Sequence, residues 1–560
     1  MFGFSEINVG LKPRPYPMPA IVTGLAVFCI ALLPVTLLVA AAGMGKPFVS
    51  EGTQQPVGIW QLAIVHWPYA VTGLFISICA GVFAGRDAWH ETPRTEPFEI
   101  PDEADPRVYY DDDARAKLQA SFMKEAGGLA DDGYWLAPYL NLPFSLETRN
   151  LLVVAASGHG KSNIIRAIAS QTILRGDRTV LHCNKGDVTR CFDLRDVILI
   201  SPTHRDGWAW DIGADLDGPA AATEFSRDSI PSSDQPFWSD TARLVMADTI
   251  NAIAAGKGQT WGPLDLLTAL LSSPDDLRAR IEKVDLSASP LIASGEDGAV
   301  DKTVQGIMST LLSAALTTLR PMAHAWAGLP PEKHFSVKKW LSKEYNGPKI
   351  VIVQTSPNFE SLSTSVCGGI LRRICKGVSD ASTKIDPANR TTFILDEFYS
   401  LGFIEGLGKA LSVAREKGLI CIAAVQSMEQ LHIYGKEAIL LSDLFQIKIF
   451  GRLTAGEGAA DAEKTIGSRQ IRWQVRNTNP ANDDKRRYLT KDDTKPVVSA
   501  TQFSRDFGMF EPNTSRERVS AVVHYAGNAH RLEWPLTTWE VKGEGYVAAA
   551  WTTFTQPKAG

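Results

Sequence analysis

The sequence predicts an α/β nucleotide-binding core that carries an inserted all-α domain and two N-terminal transmembrane helices. Three observations predict this fold class. A phosphate-loop pattern joins an apolar run to a helical pattern at Leu151–Asn163, short apolar runs then alternate with helical patterns, and two long apolar stretches precede them all. Such alternation indicates a largely parallel sheet covered by helices on both faces.

Composition excludes several classes of protein. The chain has 560 residues and a net charge of −5, so it is not a generally basic nucleic-acid binder, and any DNA contact must come from a local basic region. Its seven cysteines include no CxxC pair. A disulfide framework or a zinc site is therefore not expected, and reduced thiols are.

The two apolar stretches, about residues 20–43 and 64–85, are each long enough to cross a hydrocarbon core of about 30 Å. Basic residues flank the pair on its outer sides, from Lys12 before the first stretch to Arg86 after the second. The positive-inside rule then predicts a membrane protein with two spans whose N- and C-termini are both cytoplasmic. We assign residues 1–90 to this membrane anchor, and a buried hydrophobic hairpin is the alternative.

The phosphate loop, Ala155–Ser162, follows an apolar run and opens a helical pattern. Such a loop turns backbone N–H groups towards phosphate oxygens, while Lys161 reaches the β- and γ-phosphates and the Ser162 hydroxyl ligates Mg²⁺. Ala155 stands where the usual motif has its first glycine, which is a mild departure. The candidate ATP-binding residues are Ala155, Ser157, Gly158, Gly160, Lys161, Ser162 and Asn163.

After this loop, apolar runs continue the α/β pattern, and a helical stretch interrupts them. The expected strands are Thr179–Cys183, Val197–Ser201, Lys349–Thr355, Thr391–Leu395, Leu419–Val425, Leu444–Phe450, Val519–Tyr525 and Arg531–Leu536. Apolar residues at 3/4 spacing predict helices in between. We predict that residues 91–218 comprise a linker and the first part of the nucleotide-binding domain, with the Walker A loop. An inserted all-α domain follows at 219–335. The second part of the nucleotide-binding domain, with Walker B, spans 336–545, and a tail spans 546–560.

A pair of carboxylates, Asp396 and Glu397, ends one of these strands. Ligands of α/β sheets bind beyond the carboxyl ends of strands. Asp396 is therefore a candidate Mg²⁺ ligand together with Ser162. Glu397 is a candidate catalytic base that orients and deprotonates the attacking water.

Two further residues are candidate catalytic groups. Gln426 ends the strand Leu419–Val425, where it can sense the γ-phosphate. Arg415 precedes that strand and can act in trans as an arginine finger in a neighbouring subunit. A solvated helix charge is the alternative for Arg415.

A polar segment, 472–495, contains the candidate DNA-binding residues Lys485, Arg486 and Arg487, with aromatic residues nearby. Basic and aromatic side chains together suit a single strand and its stacked bases. Acidic residues in the same segment leave an exposed hairpin and a pore loop equally open.

As a set, Ala155–Ser162, Phe393–Gly402, Ala414–Gly418, Val425–Ser427 and Gln430–Gly435 resemble the type IV secretion coupling proteins, in particular the TraD/TrwB-like conjugative branch. The resemblance extends from the two N-terminal stretches to about residue 540. It implies a RecA-like P-loop NTPase core related to the FtsK/HerA motors, with ATP and Mg²⁺ as cofactors. It also implies the roles assigned above to Lys161, Ser162, Asp396, Glu397, Arg415 and Gln426.

The function that this resemblance implies is that of a homohexameric, membrane-anchored ATPase of a conjugative type IV secretion system. Its expected partners are single- or double-stranded DNA, the relaxase and the secretion channel proteins. Two alternatives stay open. One is a coupling protein for protein effectors, and the other is a nucleotide-gated docking receptor with little turnover, against which the intact Glu397 argues.

Overall fold

The computed structural model describes fourteen ranges of the chain, and the account below is limited to them. They are residues 21–30, 32, 71, 74–86, 98–99, 106–128, 133–232, 235–284, 288–292, 301–380, 390–404, 406–476, 488–510 and 517–553. The chain divides into two compact units. One comprises Met1–Pro106 with Ser468–Pro496, and the other comprises Arg107–Gly467 with Val497–Gly560.

Strands and helices are labelled in chain order. The strands are β1 (Phe98–Glu99), β2 (Val108–Tyr110), β3 (Trp135–Ala137), β4 (Leu140–Asn141), β5 (Leu151–Val154), β6 (Arg178–Cys183), β7 (Ile198–Ile200), β8 (Ala209–Trp210), β9 (His334–Phe335), β10 (Ile350–Gln354), β11 (Thr391–Leu395), β12 (Leu419–Val425), β13 (Ile447–Phe450), β14 (Ser468–Arg476), β15 (Tyr488–Pro496), β16 (Gly508–Phe510), β17 (Arg518–Tyr525) and β18 (Asn528–Pro535). The helices are α1 (Asp111–Glu125), α2 (Lys161–Arg175), α3 (Ile212–Asp215), α4 (Pro219–Ser229), α5 (Pro236–Lys257), α6 (Pro263–Leu270), α7 (Pro274–Glu282), α8 (Lys302–Ala314), α9 (Arg320–Trp326), α10 (Val337–Leu341), α11 (Glu360–Ser363), α12 (Gly369–Ser379), α13 (Leu407–Val413), α14 (Ala438–Leu444), α15 (Glu457–Ile466) and α16 (Ala500–Arg505).

The large sheet has the strand order β2-β18-β17-β13-β5-β12-β11-β6-β10-β7. The seven strands from β13 to β7 pair in parallel, as the sequence predicts. The pairs β13–β17 and β17–β18 are antiparallel, so the sheet is mixed towards its β2 edge. The carboxyl ends of β5, β11 and β12 therefore meet at one edge of the sheet, where ligands of α/β folds bind.

The predicted strand bounds hold closely where turns flank the apolar run. Thr391–Leu395 and Leu419–Val425 have the predicted limits. The strand predicted to begin at Leu444 begins instead at Ile447, because Leu444 is the last residue of α14. The apolar side chains of the helix end and of the strand are continuous in sequence, so hydrophobicity alone does not separate them.

Side chains of the central strands alternate between the two faces of the sheet. In β5, Leu152 and Val154 belong to one hydrophobic cluster, while Leu151 and Val153 belong to the other. Side chains of α1 and α2 pack in the second cluster. Those of α5, α8 and α12 pack in the first. Both faces are therefore covered, which explains why these strands are hydrophobic throughout.

The α-helices α3 to α9 lie between β8 and β9, and no strand occurs among the described residues of this stretch. Trp261 and Trp326 are buried there, and Trp238 is partly buried against the same cluster. The two short strands that bracket the stretch pair in parallel, Ala209 with His334 and Trp210 with Phe335. The chain thus leaves and re-enters the α/β core at adjacent points, which is the geometry of an inserted helical segment.

In the other unit, residues 21–30 and 74–86 are helical, and β1, β14 and β15 form an antiparallel sheet. The predicted spans 20–43 and 64–85 lie partly outside the described residues, which include 21–30 and 32 of the first and 71 and 74–85 of the second. Within the part of the chain that is described, no helix has both the length and the apolar character needed to cross a bilayer.

Candidate active site

The phosphate loop lies between the ends of two strands and the start of α2. The Ala155 N–H donates to the Val425 carbonyl at 3.2 Å, and the Ala156 N–H donates to the Arg452 carbonyl at 2.8 Å. Gly160, just before α2, has φ 92°, and a Cβ there would lie 2.5 Å from the Val519 side chain. Backbone conformation and space both require glycine at this position.

The departure at Ala155 has a structural explanation. Gly451 directly follows β13, and a Cβ built on it would lie 2.9 Å from the Ala155 Cβ. The Ala155 methyl therefore occupies space that Gly451 leaves free. The loop keeps its position although the first motif glycine is replaced.

Lys161, the first residue of α2, points its ammonium back into the loop. Its Nζ donates to the carbonyl oxygens of Ala155 at 2.6 Å and Ala156 at 3.2 Å. Burial lowers the pKa of Lys161, while the negative charges of Asp396 and Glu397 oppose that shift. The ammonium therefore lies at the wall of the cavity. Its charged form is less stable there than in water, and a bound anion would stabilise it.

Asp396 and Ser162 come together as the sequence predicts. The Ser162 hydroxyl donates to Asp396 Oδ2 at 2.6 Å. The other carboxylate oxygen, Oδ1, is buried and has no hydrogen-bond partner among the described residues. Burial raises the pKa of Asp396, and the hydrogen bond from Ser162 opposes this. An unpartnered buried carboxylate oxygen is costly unless a ligand completes it.

This pair of oxygens fits a magnesium ion. Mg²⁺ prefers hard oxygen ligands, keeps several waters and takes the rest from one or two carboxylates and from phosphates. No cluster of three or more His, Cys, Asp or Glu side chains that could hold a metal occurs among the described residues. Ser162 and Asp396 would supply one hydroxyl and one carboxylate to such an ion.

Glu397 lies beside this pair in an uncommon backbone conformation, with φ 58° and ψ 49°. Its Oε2 accepts a hydrogen bond from Asn184 Nδ2 at 2.9 Å, and its Oε1 pairs with Lys185 Nζ at 3.2 Å. Partial burial would raise the pKa of Glu397, but these two donors outweigh it and lower the pKa. A non-glycine residue in the left-handed region stores strain and is often found at functional sites.

His182, Asn184 and Lys185 are site residues that the sequence analysis did not identify. They lie at and after the end of β6, which pairs with β11, the strand that ends in Asp396. The carboxyl-edge rule could have suggested them, because polar residues at the end of a neighbouring strand meet the same ligand. Apart from that rule, the sequence contains no motif that singles them out.

His182 contacts the backbone carbonyl of Asp396. Its Nδ1 is 2.5 Å from the Asp396 carbonyl oxygen, and its Nε2 is 3.2 Å from Thr355 Oγ1. Burial lowers the pKa of His182 to about 4, so the imidazole is neutral at physiological pH. A neutral ring that donates to a backbone carbonyl fixes the end of β11, and with it the orientation of the two carboxylates.

These side chains line a cavity of about 350 Å³. Its lining residues are Ser157, Gly158, Gly160, Lys161, Ser162, Asn163, Arg166, His182, Cys183, Asn184, Lys185, Asp187, Asp396, Glu397, Met509, Leu536, Thr537 and Thr538. Asn163 connects α2 to the segment after β18, which forms another part of the cavity wall. Its Nδ2 donates to the Pro535 carbonyl at 2.9 Å, and its Oδ1 accepts from the Thr537 N–H at 2.5 Å. All predicted ATP-binding residues except Ala155 line this cavity.

Gln426 is placed next to the site but outside the cavity lining. It follows Val425, whose carbonyl accepts the Ala155 N–H, and its own N–H donates to Gln430 Oε1 at 2.7 Å. The side chain is exposed. Gln426 is therefore adjacent to the phosphate loop without contacting the cavity in this conformation.

Arg415 lies at the opposite edge of the sheet, where β12 begins. Its surroundings include Glu125, Arg149 and Tyr525, and not the carboxylates of its own cavity. β12 has seven residues, which at about 3.3 Å each separate Arg415 from its own phosphate loop by roughly 20 Å. The structure does not bring Arg415 to the site of the same chain.

The basic segment predicted to touch DNA forms a hairpin. β14 and β15 pair antiparallel from Ser468–Pro496 to Arg476–Tyr488, and Arg472 pairs with Asp492 at 2.6 Å. Lys485, Arg486 and Arg487 lie outside the described residues. The strands of the hairpin are thus established, while the position of its basic residues stays a prediction.

Comparison with known proteins identifies the family. The family of the type IV secretion-system coupling protein DNA-binding domain matches residues 136–505, which is more than half of the chain. The chain belongs to the type IV secretion coupling proteins. It is of the TraD/TrwB type. The coupling protein TraD of Escherichia coli (strain K12) is 24% identical over 335 residues, which are 58% of this chain and 44% of TraD.

Solved structures of the conjugative coupling protein TrwB share the fold. A trigonal form with sulphate has a TM-score of 0.60 at 21% identity, covering 79% of this chain and 97% of that one. The complex of TrwB with ADP and Mg²⁺ has a TM-score of 0.58 at 21% identity, covering 77% and 94%. The mixed sheet with its inserted helices is therefore the coupling-protein fold.

Proposed function

We propose that this coupling protein is an Mg²⁺-dependent ATPase that moves relaxase-bound DNA to the channel of a conjugative type IV secretion system. The observation that carries the proposal is the Ser162–Asp396 pair with its unpartnered Asp396 Oδ1, beside the phosphate loop and Glu397. TrwB has been solved with ADP and Mg²⁺ and with a non-hydrolysable ATP analogue. The phosphate loop, the hydroxyl and the carboxylate that line the cavity are groups that such a ligand requires.

In the proposed site the phosphate loop binds the phosphates through its N–H groups. Lys161 exchanges the Ala155 and Ala156 carbonyls for phosphate oxygens, which satisfies a charge that burial disfavours. Ser162 and Asp396 hold the metal. A bound Mg²⁺ neutralises charge that develops on the β- and γ-phosphates.

The reaction that this arrangement supports is hydrolysis of the γ-phosphoryl group. A water oxygen bonds to the γ-phosphorus, the bond from that phosphorus to the β–γ bridging oxygen breaks, and ADP leaves with the bridging oxygen. Glu397 orients the water and accepts its proton. Gln426, next to the loop, is the candidate sensor of the γ-phosphate.

The assembly that we propose is a homohexameric ring at the bacterial inner membrane. Residues 1–90 would anchor it through spans at about 20–43 and 64–85, with both termini in the cytoplasm. The nucleotide-binding domain would comprise 91–218 and 336–545, with the all-α insertion at 219–335 and a tail at 546–560. Arg415 would reach the site of the neighbouring subunit, and Lys485, Arg486 and Arg487 would contact DNA in the channel.

The test is ATP hydrolysis by the full-length chain, with and without single- and double-stranded DNA. Wild type is compared with Lys161→Ala, Glu397→Gln and the control Lys117→Ala, an exposed lysine on α1. We expect Glu397→Gln to lower kcat by about 10²-fold or more while nucleotide still binds, because it removes the catalytic base and leaves the phosphate loop unchanged. Lys161→Ala should lose nucleotide binding as well.

The outcomes separate the alternatives. Turnover of the wild type no higher than that of Lys161→Ala would contradict the ATPase and favour a docking receptor. Turnover that depends on Glu397 but that neither form of DNA raises would keep the ATPase and favour protein effectors as the substrate.

A further inference from the structure

Glu125, the last residue of α1, has both of its carboxylate oxygens engaged. Its Oε1 pairs with Arg149 Nη2, and its Oε2 accepts a hydrogen bond from the Tyr525 hydroxyl. The C-terminal end of a helix carries partial negative charge, which disfavours a carboxylate there. Glu125 is therefore stabilised by partners from outside α1, and the loss of one partner leaves an oxygen that attracts another donor.

The Tyr525 hydroxyl is a fixed donor. Its side chain is buried, and its ring packs edge-on against Phe122 with the ring centroids 4.8 Å apart. Burial, and then the hydrogen bond to Glu125, raise the pKa of Tyr525, so the phenol keeps its proton at neutral pH. The hydroxyl therefore donates to Glu125 from a position that packing determines.

Arg149 is held on the other side of the carboxylate. Its Nη1 donates to Gln446 Oε1 at 2.7 Å, and its carbonyl accepts from the Gln446 N–H at 2.9 Å. Gln446 directly precedes β13. These two contacts fix the guanidinium that pairs with Glu125.

Arg415 lies in the same surroundings and forms no ion pair among the described residues. It precedes β12 as Arg149 precedes β5, and these two strands pair in parallel. Burial, and then the charge of Arg149, lower the pKa of Arg415, whereas the charge of Glu125 raises it. Glu125 thus attracts Arg415, although both of its oxygens are already occupied. Two arginines share one carboxylate, which leaves positive charge for an anion of another chain.

From these contacts we infer that Tyr525 is a positioning residue that keeps Arg415 available for the neighbouring subunit. Its hydroxyl occupies the Glu125 oxygen that would otherwise bind Arg415 within the same chain. Arginine binds carboxylates through strong, often bidentate hydrogen bonds, so an arginine held in this way could not reach a neighbour. The inference rests on the proposed function, in which Arg415 acts in trans, and adds the reason why the arginine is not bound within its own chain.

The test compares ATP hydrolysis by the full-length wild type and by Tyr525→Phe, which removes the hydroxyl and keeps the ring against Phe122. With Oε2 of Glu125 free to bind Arg415, kcat should fall about tenfold, the size expected for one hydrogen bond to a charged group. KM for ATP and the affinity for ADP should stay within about twofold, because the phosphate loop is unchanged.

The matched control is Tyr134→Phe. It also removes a buried hydroxyl from the hydrophobic cluster that contains Tyr525, but this hydroxyl has no hydrogen-bond partner among the described residues. The control should keep the wild-type kcat and KM. A loss of kcat in Tyr525→Phe alone then belongs to the contact with Glu125.

A second substitution distinguishes this role from a purely structural one. Glu125→Gln added to Tyr525→Phe removes the carboxylate that binds Arg415, so kcat should return to within about twofold of the wild-type value. Damage to folding would not be repaired by the loss of a second side chain. Tyr525→Phe combined with Arg415→Ala should be no slower than Arg415→Ala alone, because both changes act through the same guanidinium.

Two results would overturn the inference and leave the proposed function intact. They are a wild-type kcat in Tyr525→Phe, and a fall in its kcat that Glu125→Gln does not reverse. Failure of the proposed function gives a different pattern. A wild-type kcat in Arg415→Ala would exclude the finger, and wild-type turnover no higher than that of Lys161→Ala would exclude the ATPase. Either result would overturn the inference as well.

Discussion

The two edges of the central sheet hold their charges in different ways. At the carboxyl edge, Ser162, Asp396 and Glu397 surround a cavity, and Asp396 Oδ1 has no hydrogen-bond partner among the described residues. At the amino edge, Arg175 binds Glu147 through two hydrogen bonds of 2.7 and 2.8 Å, and Glu147 is fully buried. At the first edge a carboxylate oxygen is left for a ligand, whereas at the second the buried carboxylate is paired within the protein, although burial still raises the pKa of Glu147.

Arg415 lies at the same edge and forms no ion pair among the described residues. Burial, and then the nearby Arg149, lower the pKa of Arg415, while Glu125 opposes them. An arginine that has no ion partner among the described residues and lies far from its own cavity can bind an anion on another chain, which supports its proposed role as a finger.

Among the variants that test this comparison of the two edges, Arg415→Ala should have the largest effect. We expect kcat to fall by about 10³-fold, in the range known for arginine fingers, with ADP affinity nearly unchanged. Mixed rings should regain turnover when Arg415→Ala subunits are combined with Glu397→Gln subunits. In such a ring an intact Glu397 receives an intact Arg415 from its neighbour.

The mixing ratio provides the control. Turnover should peak at an intermediate ratio and be lowest in the two pure variants. A mixture whose turnover never exceeds the sum of its two components would show that Arg415 does not act in the neighbouring site. The interpretation of Arg415 as a solvated helix charge would then be favoured.

A second test concerns the compensated charges of the same edge. Glu147→Ala should lower the free energy of unfolding by about 3 kcal/mol, because it leaves Arg175 and the Tyr134 N–H without their buried acceptor. Chemical denaturation measures the change. The control Glu282→Ala breaks an exposed pair with Arg278 and should change stability by less than about 0.5 kcal/mol. Equal effects of the two variants would show that the buried pair does not stabilise the edge.

The smallest expected effect is a dependence of the unfolding free energy on pH. It arises from a residue that belongs neither to the nucleotide cavity nor to the Arg175–Glu147 pair. His530 of β18 is buried, stacks on Tyr109 at 5.3 Å, and burial lowers its pKa to about 4. Its folded pKa is below the unfolded value, so its contribution is fully present above about pH 6.5 and is lost as the pH falls towards 4.

His530→Phe, which keeps the stacking, tests this dependence. Between pH 8 and pH 5 the wild type should lose about 2 kcal/mol more unfolding free energy than the variant. Denaturation curves at the two pH values measure the difference. Parallel losses in both proteins would show that His530 is not the group that titrates.

The sequence predicts the elements of the site better than their contacts. The phosphate loop and the pair Asp396–Glu397 stand out because each combines a strand end with residues whose chemistry is specific. Asn184 and Lys185 do not, because a segment that holds a carboxylate 213 residues away leaves no local pattern. The same limit applies to the antiparallel strands β17 and β18, whose direction depends on pairing with distant strands and not on their own residues.

The Ala155 departure illustrates the limit most simply. From sequence it is a missing glycine, and only the structure identifies Gly451 as the residue that makes room for its methyl group. Helix ends are a further case, since Leu444 belongs to α14 by its backbone hydrogen bonds while its side chain resembles those of the strand that follows.

Asn163 joins α2 to the segment after β18, and 374 residues separate it from Thr537. Ribosomes add about 5 to 20 residues per second, so roughly 20 to 75 s pass between the synthesis of one partner and that of the other. During that interval the nascent chain already has its phosphate loop but lacks the wall that closes the cavity. The nucleotide pocket is therefore completed only after every strand from β6 to β18 has been synthesised.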